Sequence, residues 1–152
     1  MLRISFLYPI STVENINMEM IYPLFVLVLL TFAVGFSVGA SRLLSIKKGH
    51  VDPRYYRLMS GYDAPEYVQK FSRNFSNLLE VPILFYFLVL LIIVLQVKSA
   101  LLVELAWTFV ILRIVHSLIH LTYNNSRHRM VSFALSGTVL LIMWIELFNI
   151  VS

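Results

Sequence analysis

The chain has 152 residues, of which 59% are hydrophobic and 13% charged, and its mean hydropathy is +0.82. Soluble domains carry about 25% charged residues, and a chain this short keeps a large share of its surface exposed, so a water-soluble globular fold and a disordered chain are both all but excluded. The formal net charge is +4 and there is no cysteine, which removes disulfides, Cys-ligated zinc and any protein thiol nucleophile.

In chain order, residues 1–18 read as a weakly ordered or interfacial extension. They contain Pro9, only Arg3 precedes their apolar stretch, and no small-residue cleavage site follows it, which does not fit a signal peptide. Met18 or Met20 could serve as the start. Four apolar runs come next: 20–41, 81–97, 105–123 and 130–145. About 20 residues at a 1.5 Å rise cross a hydrocarbon core. No ten-residue segment alternates apolar and polar residues as a barrel strand does. The expected fold is an all-α membrane protein, a four-transmembrane-helix bundle over residues 19–152, with helices at about 19–47, 67–97, 101–123 and 129–150. The stretch between the first two carries Gly49, Pro53, Gly61 and Pro65. It reads as turns around a short aromatic piece at 55–59, expected at the membrane interface.

Seven of the twelve Lys and Arg residues lie from Arg42 to Arg73, and Arg127 and Arg129 lie between the last two runs. Short basic loops mark the cytoplasmic side. Four spans alternate direction, so both basic connections fall on that side and both termini on the other. The protein is then an integral, multi-pass membrane protein, of the plasma (inner) membrane in a bacterium. No groove-reading motif is present, and nucleic acid is not an expected partner; membrane lipid is.

Ionisable groups at membrane depth are costly and turn toward a bundle interior or a cavity. Arg73, Asn77 and Glu80 stand at i, i+4, i+7, and Arg113, His116 and His120 at i, i+3, i+7, so each set shares one helix face. Glu80 lies about 10 Å past Arg73, and Arg113 about 15 Å before Tyr123, at 1.5 Å per residue. Both stripes are measured from cytoplasmic ends, so they reach overlapping depths and predict a charged cleft open to the cytoplasm. The alternative for Glu80 and Arg113 is a buried ion pair that fixes helix register, and for the two histidines an interhelical hydrogen bond or a haem site. No carboxylate separates His116 from His120, so the zinc-protease motif is absent and no metal site is expected. Tyr22, Trp107, Tyr123 and Trp144 read as interfacial belt or packing residues, and Glu104 and Glu146 as exposed groups near the opposite face.

Several arginines and an asparagine suit a ligand with two carboxylates and peptide groups, and Glu80 suits an ammonium. Glutathione has these groups and brings a thiol, whose reactive form a nearby guanidinium favours. Another anionic amphiphile would fit the same side chains.

The segment Arg73-Asn74-Phe75-Ser76-Asn77-Leu78-Leu79-Glu80-Val81-Pro82 resembles the second-helix signature of the MAPEG family, the membrane-associated proteins of eicosanoid and glutathione metabolism. Arg113, His116, His120 and the later Arg129 resemble its third-helix signature and the arginine that follows. The resemblance covers roughly 20–150. It implies a four-helix protomer, a homotrimer, and glutathione as co-substrate between protomers near the cytoplasmic side. By position it makes Arg42, Arg73, Asn77, Glu80 and Arg113 glutathione contacts, with His116 and His120 beside them, and makes Arg129 the catalytic residue near the thiol. Two departures stand out. His120 occupies the place of a usual Tyr, and Met130 that of a Ser in prostaglandin-synthase-like members. The chain looks closer to bacterial-type members than to the eicosanoid enzymes. The leading expectation is a glutathione-dependent transferase or peroxidase acting on a lipophilic small-molecule substrate. The alternatives are a non-catalytic trimer binding a lipid or anionic metabolite, and a haem-binding electron carrier using His116 and His120.

Overall fold

A computed structural model describes residues 18–59, 61 and 63–152. It is all-helical: α1 is Met18–Lys47, α2 Tyr55–Leu58, α3 Glu66–Val94, α4 Ala100–Leu121 and α5 Ser126–Val151. All but α2 are long and apolar enough to cross a membrane. The extension expected at 1–18 lies outside the described residues, apart from Met18 at the start of α1.

Local chemistry sets the helix ends. α1 closes on Gly49 at φ 68°, with His50 N–H donating to the Ser45 carbonyl and Gly49 N–H to that of Ile46. This is a left-handed cap that glycine adopts at no steric cost. α3 ends the same way on Gln96 at φ 54°, with Val97 N–H on the Ile92 carbonyl and Gln96 N–H on that of Ile93. That cap is why α3 stops at Val94, although the apolar run continues to Val97. At the next two helix starts, Ser99 Oγ accepts from Leu102 N–H, and Asn125 Oδ1 accepts from the N–H groups of Arg127 and His128, satisfying donors that a helix start leaves free.

α1 packs on α3 and α4, and α5 on α4 and α3, while α1 and α5 do not meet among the described residues. The core lies along α3 and α4, where the Phe85 and Phe109 rings stack at 4.7 Å amid Leu27, Leu88, Ile92, Val110 and Met143. Large apolar side chains also cover the outside, Phe36 being 75% exposed, as a lipid-facing surface requires. Without a hydrophobic force between helices in lipid, close packing holds them. A Cβ at Gly35 would lie 3.0 Å from Phe75 Cε2, so this glycine seats the ring and lets α1 approach α3. Hydroxyls within the spans bond back to their own helices, as Thr31 does to the Leu27 carbonyl and Thr108 to that of Glu104. Glu104 is exposed, as expected, but Glu146 is half-buried.

The α1–α3 connection has a small core of its own. Val51, Tyr55, Ala64 and Val68 are buried together, flanked by Tyr56 and Tyr67. Tyr56 OH lies 2.7 Å from Ser45 Oγ, tying this cap to α1.

Phe85→Ala removes half of the central ring stack. We expect a loss on the order of 3 kcal/mol, typical of a large-to-small core change, in reversible unfolding by detergent titration.

Candidate functional site

A cleft of about 510 Å³ opens where α3 begins, α4 ends and α5 begins. Arg73, Asn77 and Glu80 line it from α3, His116 and His120 from α4, and Arg129, Met130 and Phe133 from α5. Six of the eight side chains singled out in the sequence thus share one concavity. The two helical stripes meet there because the early turns of α3 run beside the late turns of α4.

Hydrogen bonds hold several of these groups in place. Asn77 Nδ2 donates to the Arg73 carbonyl at 2.9 Å, and Arg73 Nη2 to Gln69 Oε1 at 3.4 Å. His116 Nδ1 lies 3.1 Å from both the Arg129 carbonyl and Ser132 Oγ. Arg129 Nη1 donates to Asn124 Oδ1 at 2.6 Å and lies 3.3 Å from His120 Nε2. The imidazole centroids of His116 and His120 are 5.8 Å apart. Glu80 is exposed at the rim.

Arg113 does not line the cleft; it lies behind its wall with 0% exposure. Its Nη2 donates to the Asn77 carbonyl at 2.7 Å, and its guanidinium sits 5.7 Å from the Phe133 ring centre. Pro82 lacks an N–H for the Leu78 carbonyl, so Arg113 reaches α3 one residue before the carbonyl that the proline leaves without a helical donor. Nε and Nη1 of Arg113 have no partner among the described residues. Nearby, Ser117 Oγ donates to Asn74 Oδ1 at 3.2 Å, both residues being buried. The register-fixing ion pair between Glu80 and Arg113 is not formed. The only ion pair among the described residues joins Lys70 and Glu66 at 2.9 Å, because the guanidinium is spent inward while Glu80 points to the exposed rim. Arg42 also lies outside the cleft, at the cap, with its guanidinium 5.6 Å from the Tyr56 ring centre.

The sequence reading passed over Ser72, Ser76, Ser126 and Phe133, which also line the cleft. Ser72 and Ser76 stand at i and i+4 before Glu80, so a wider view of the same helical face would have found them. Asn124 had no such signal, because its contact depends on a left-handed turn at φ 52°.

The sequence profile of the MAPEG family matches residues 20–149. The chain belongs to the MAPEG family. No curated protein and no solved structure matches it. The matched segment of this MAPEG chain runs from the first turn of α1 nearly to the end of α5 and contains every residue of the cleft.

Burying a charge is itself costly, so an apolar residue of similar length can replace a buried charged group at small net cost. Arg113→Met should keep unfolding stability within about 1 kcal/mol, whereas Arg113→Ala, which leaves a void, should lose on the order of 3 kcal/mol. Detergent-titration unfolding of both variants checks this, and a collapse of the Met variant would show that the guanidinium itself holds α3 to α4.

Proposed function

We propose that this MAPEG protein is a glutathione-dependent transferase or peroxidase acting on lipophilic electrophiles, with glutathione held in the cleft. The observation that carries this reading is the convergence of two guanidiniums, a carboxylate, an amide and two imidazoles on one concavity at the end of the membrane spans. The donor set fits the molecule: Arg73 and Arg129 suit its carboxylates and sulfur, Glu80 its ammonium and Asn77 its peptide groups. Once bound, glutathione supplies the thiol that this cysteine-free chain lacks.

The chain's own residues then have distinct tasks. Arg73 and Glu80 anchor opposite charges and so fix orientation. Arg129 is the catalytic residue, a fixed positive charge that stabilises negative charge on sulfur. Phe133 and Met130 give the cleft an apolar side suited to a substrate arriving from lipid, so catalysis rests on proximity and electrostatics. His116 and His120 complete the lining. Arg42 lies outside its own protomer's cleft, so in this reading its contact with glutathione would be made in a neighbouring protomer of a homotrimer. A haem carrier is disfavoured because the Nε2 of His120 faces the Arg129 guanidinium.

Calorimetry on the detergent-purified protein tests the reading. We expect saturable glutathione binding, weakened at least about tenfold by Arg73→Ala and by Glu80→Gln, as loss of a charge-assisted hydrogen bond implies. No binding at millimolar glutathione by folded protein would overturn it and favour the non-catalytic lipid- or anion-binding trimer.

On the same reading the cleft faces the cytoplasm and both termini lie on the far side. The absence of cysteine makes this simple to check with an impermeant thiol reagent. Asp52→Cys should label only from the cytoplasmic side and Lys98→Cys only from the other.

A further inference from the structure

We infer that Asn124 is a positioning residue that, with His120, clamps the Arg129 guanidinium in the orientation from which it meets an anion in the cleft. The argument starts from what each group can do. A guanidinium only donates hydrogen bonds. At Arg129 Nη1 one neighbour is Asn124 Oδ1 at 2.6 Å and the other is His120 Nε2 at 3.3 Å. Both must therefore accept. The Asn124 amide presents its oxygen, and the His120 ring presents its Nε2 lone pair with its proton on Nδ1. The two hydrogens of Nη1 are then committed in two directions. That fixes the plane of the guanidinium, and the other N–H groups of Arg129 have no partner among the described residues. They remain for a ligand in the cleft that Arg129 lines.

The backbone places Asn124 for this task. It stands between α4 and α5 at φ 52°, with its N–H on the Ile119 carbonyl at 2.8 Å. Asparagine is among the few non-glycine residues that enter this region readily. Glycine would serve the turn as well or better but would bring no oxygen. The neighbouring Asn125 spends its own Oδ1 on the first N–H groups of α5, so the two asparagines divide the work, one starting the helix and one holding the arginine five positions on. The clamp also accounts for His120, since the ring nitrogen serves as an acceptor and not as a donor toward the ligand.

Fixing a long side chain before the ligand arrives removes an ordering cost of about 0.5–1.5 kcal/mol, equivalent to about two- to twelvefold in affinity. The ligand part of the inference rests on the proposed glutathione site; the clamp itself does not. Two measurements keep them apart. The first is nitrogen NMR of the arginine side chains in detergent, without ligand, assigned by Arg129→Lys. Clamped, Arg129 shows separate Nη resonances from slowed rotation of its head group. Asn124→Gly keeps the left-handed turn and removes only the acceptor, and should merge them. Averaged resonances in the unmutated protein, or separate ones persisting in Asn124→Gly, overturn the clamp. The second compares binding of glutathione sulfonate, an anion at the sulfur position, with that of neutral S-methyl glutathione. Asn124→Gly should lower the preference for the sulfonate about three- to tenfold and leave S-methyl glutathione binding unchanged. In an Arg129→Ala background it should do nothing further, because residues acting through one another are non-additive. Equal loss for both analogues, or the same loss in the Arg129→Ala background, would make Asn124 a structural residue and overturn its positioning role. Slowed rotation that is lost in Asn124→Gly, with neither analogue bound by the unmutated protein, upholds the clamp and overturns the glutathione site alone.

Discussion

A polar group facing hydrocarbon without a partner costs several kcal/mol, and the arrangement of this protein follows from that penalty. Hydroxyls on the outer faces of the spans, such as those of Thr108 and Thr138, return to carbonyls of their own helices. Side chains too large or too charged to do so, Asn74, Arg113, His116 and His120, are buried where α3, α4 and α5 face one another, and Ser117 turns its hydroxyl to Asn74 there. The cleft is the place where this polar interior reaches the surface. Its electrostatic character is thus set by the membrane as much as by any ligand.

Arg113 shows how the penalty is managed for a full charge. Hydrogen bonding to the Asn77 carbonyl and placement over the Phe133 ring give the cation a polar partner and an aromatic face, though no countercharge within ion-pair distance among the described residues. Asn77 and Phe133 also line the cleft, so this buried charge stands directly behind a wall that carries Arg73 and Arg129. With three guanidiniums and the single carboxylate of Glu80, the surroundings of the cleft carry a net positive charge, and such a balance favours anions.

The spans and the cleft were largely legible in the sequence because both rest on simple periodicities. Long apolar runs, the third interrupted by Arg113, His116 and His120, mark the spans, and the i, i+4, i+7 face of Arg73, Asn77 and Glu80 marks one wall of the cleft. Connections set by single backbone turns were less legible. The Gln96 cap that ends α3 early has no glycine to announce it, and the Asn124 contact requires knowing which of two adjacent asparagines turns left-handed. Whether Glu80 and Arg113 pair stays open in the sequence for a related reason. Glu80 and Arg113 reach similar depths, but periodicity says nothing about which way a long side chain leans, and Arg113 leans toward a backbone carbonyl.

α3 has a second concavity on its other side, where Val28, Thr31, Phe32, Phe36, Phe75, Leu79 and Tyr86 enclose about 540 Å³ of almost wholly apolar space. Residues from the same two turns alternate between the volumes: Ser72, Arg73, Ser76, Asn77 and Glu80 face the polar one, Phe75 and Leu79 the apolar one. One helix is therefore a party wall, about 10 Å thick with its side chains. The register that seats Phe75 against Gly35 on the greasy side also decides which side chains of this helix the charged side receives.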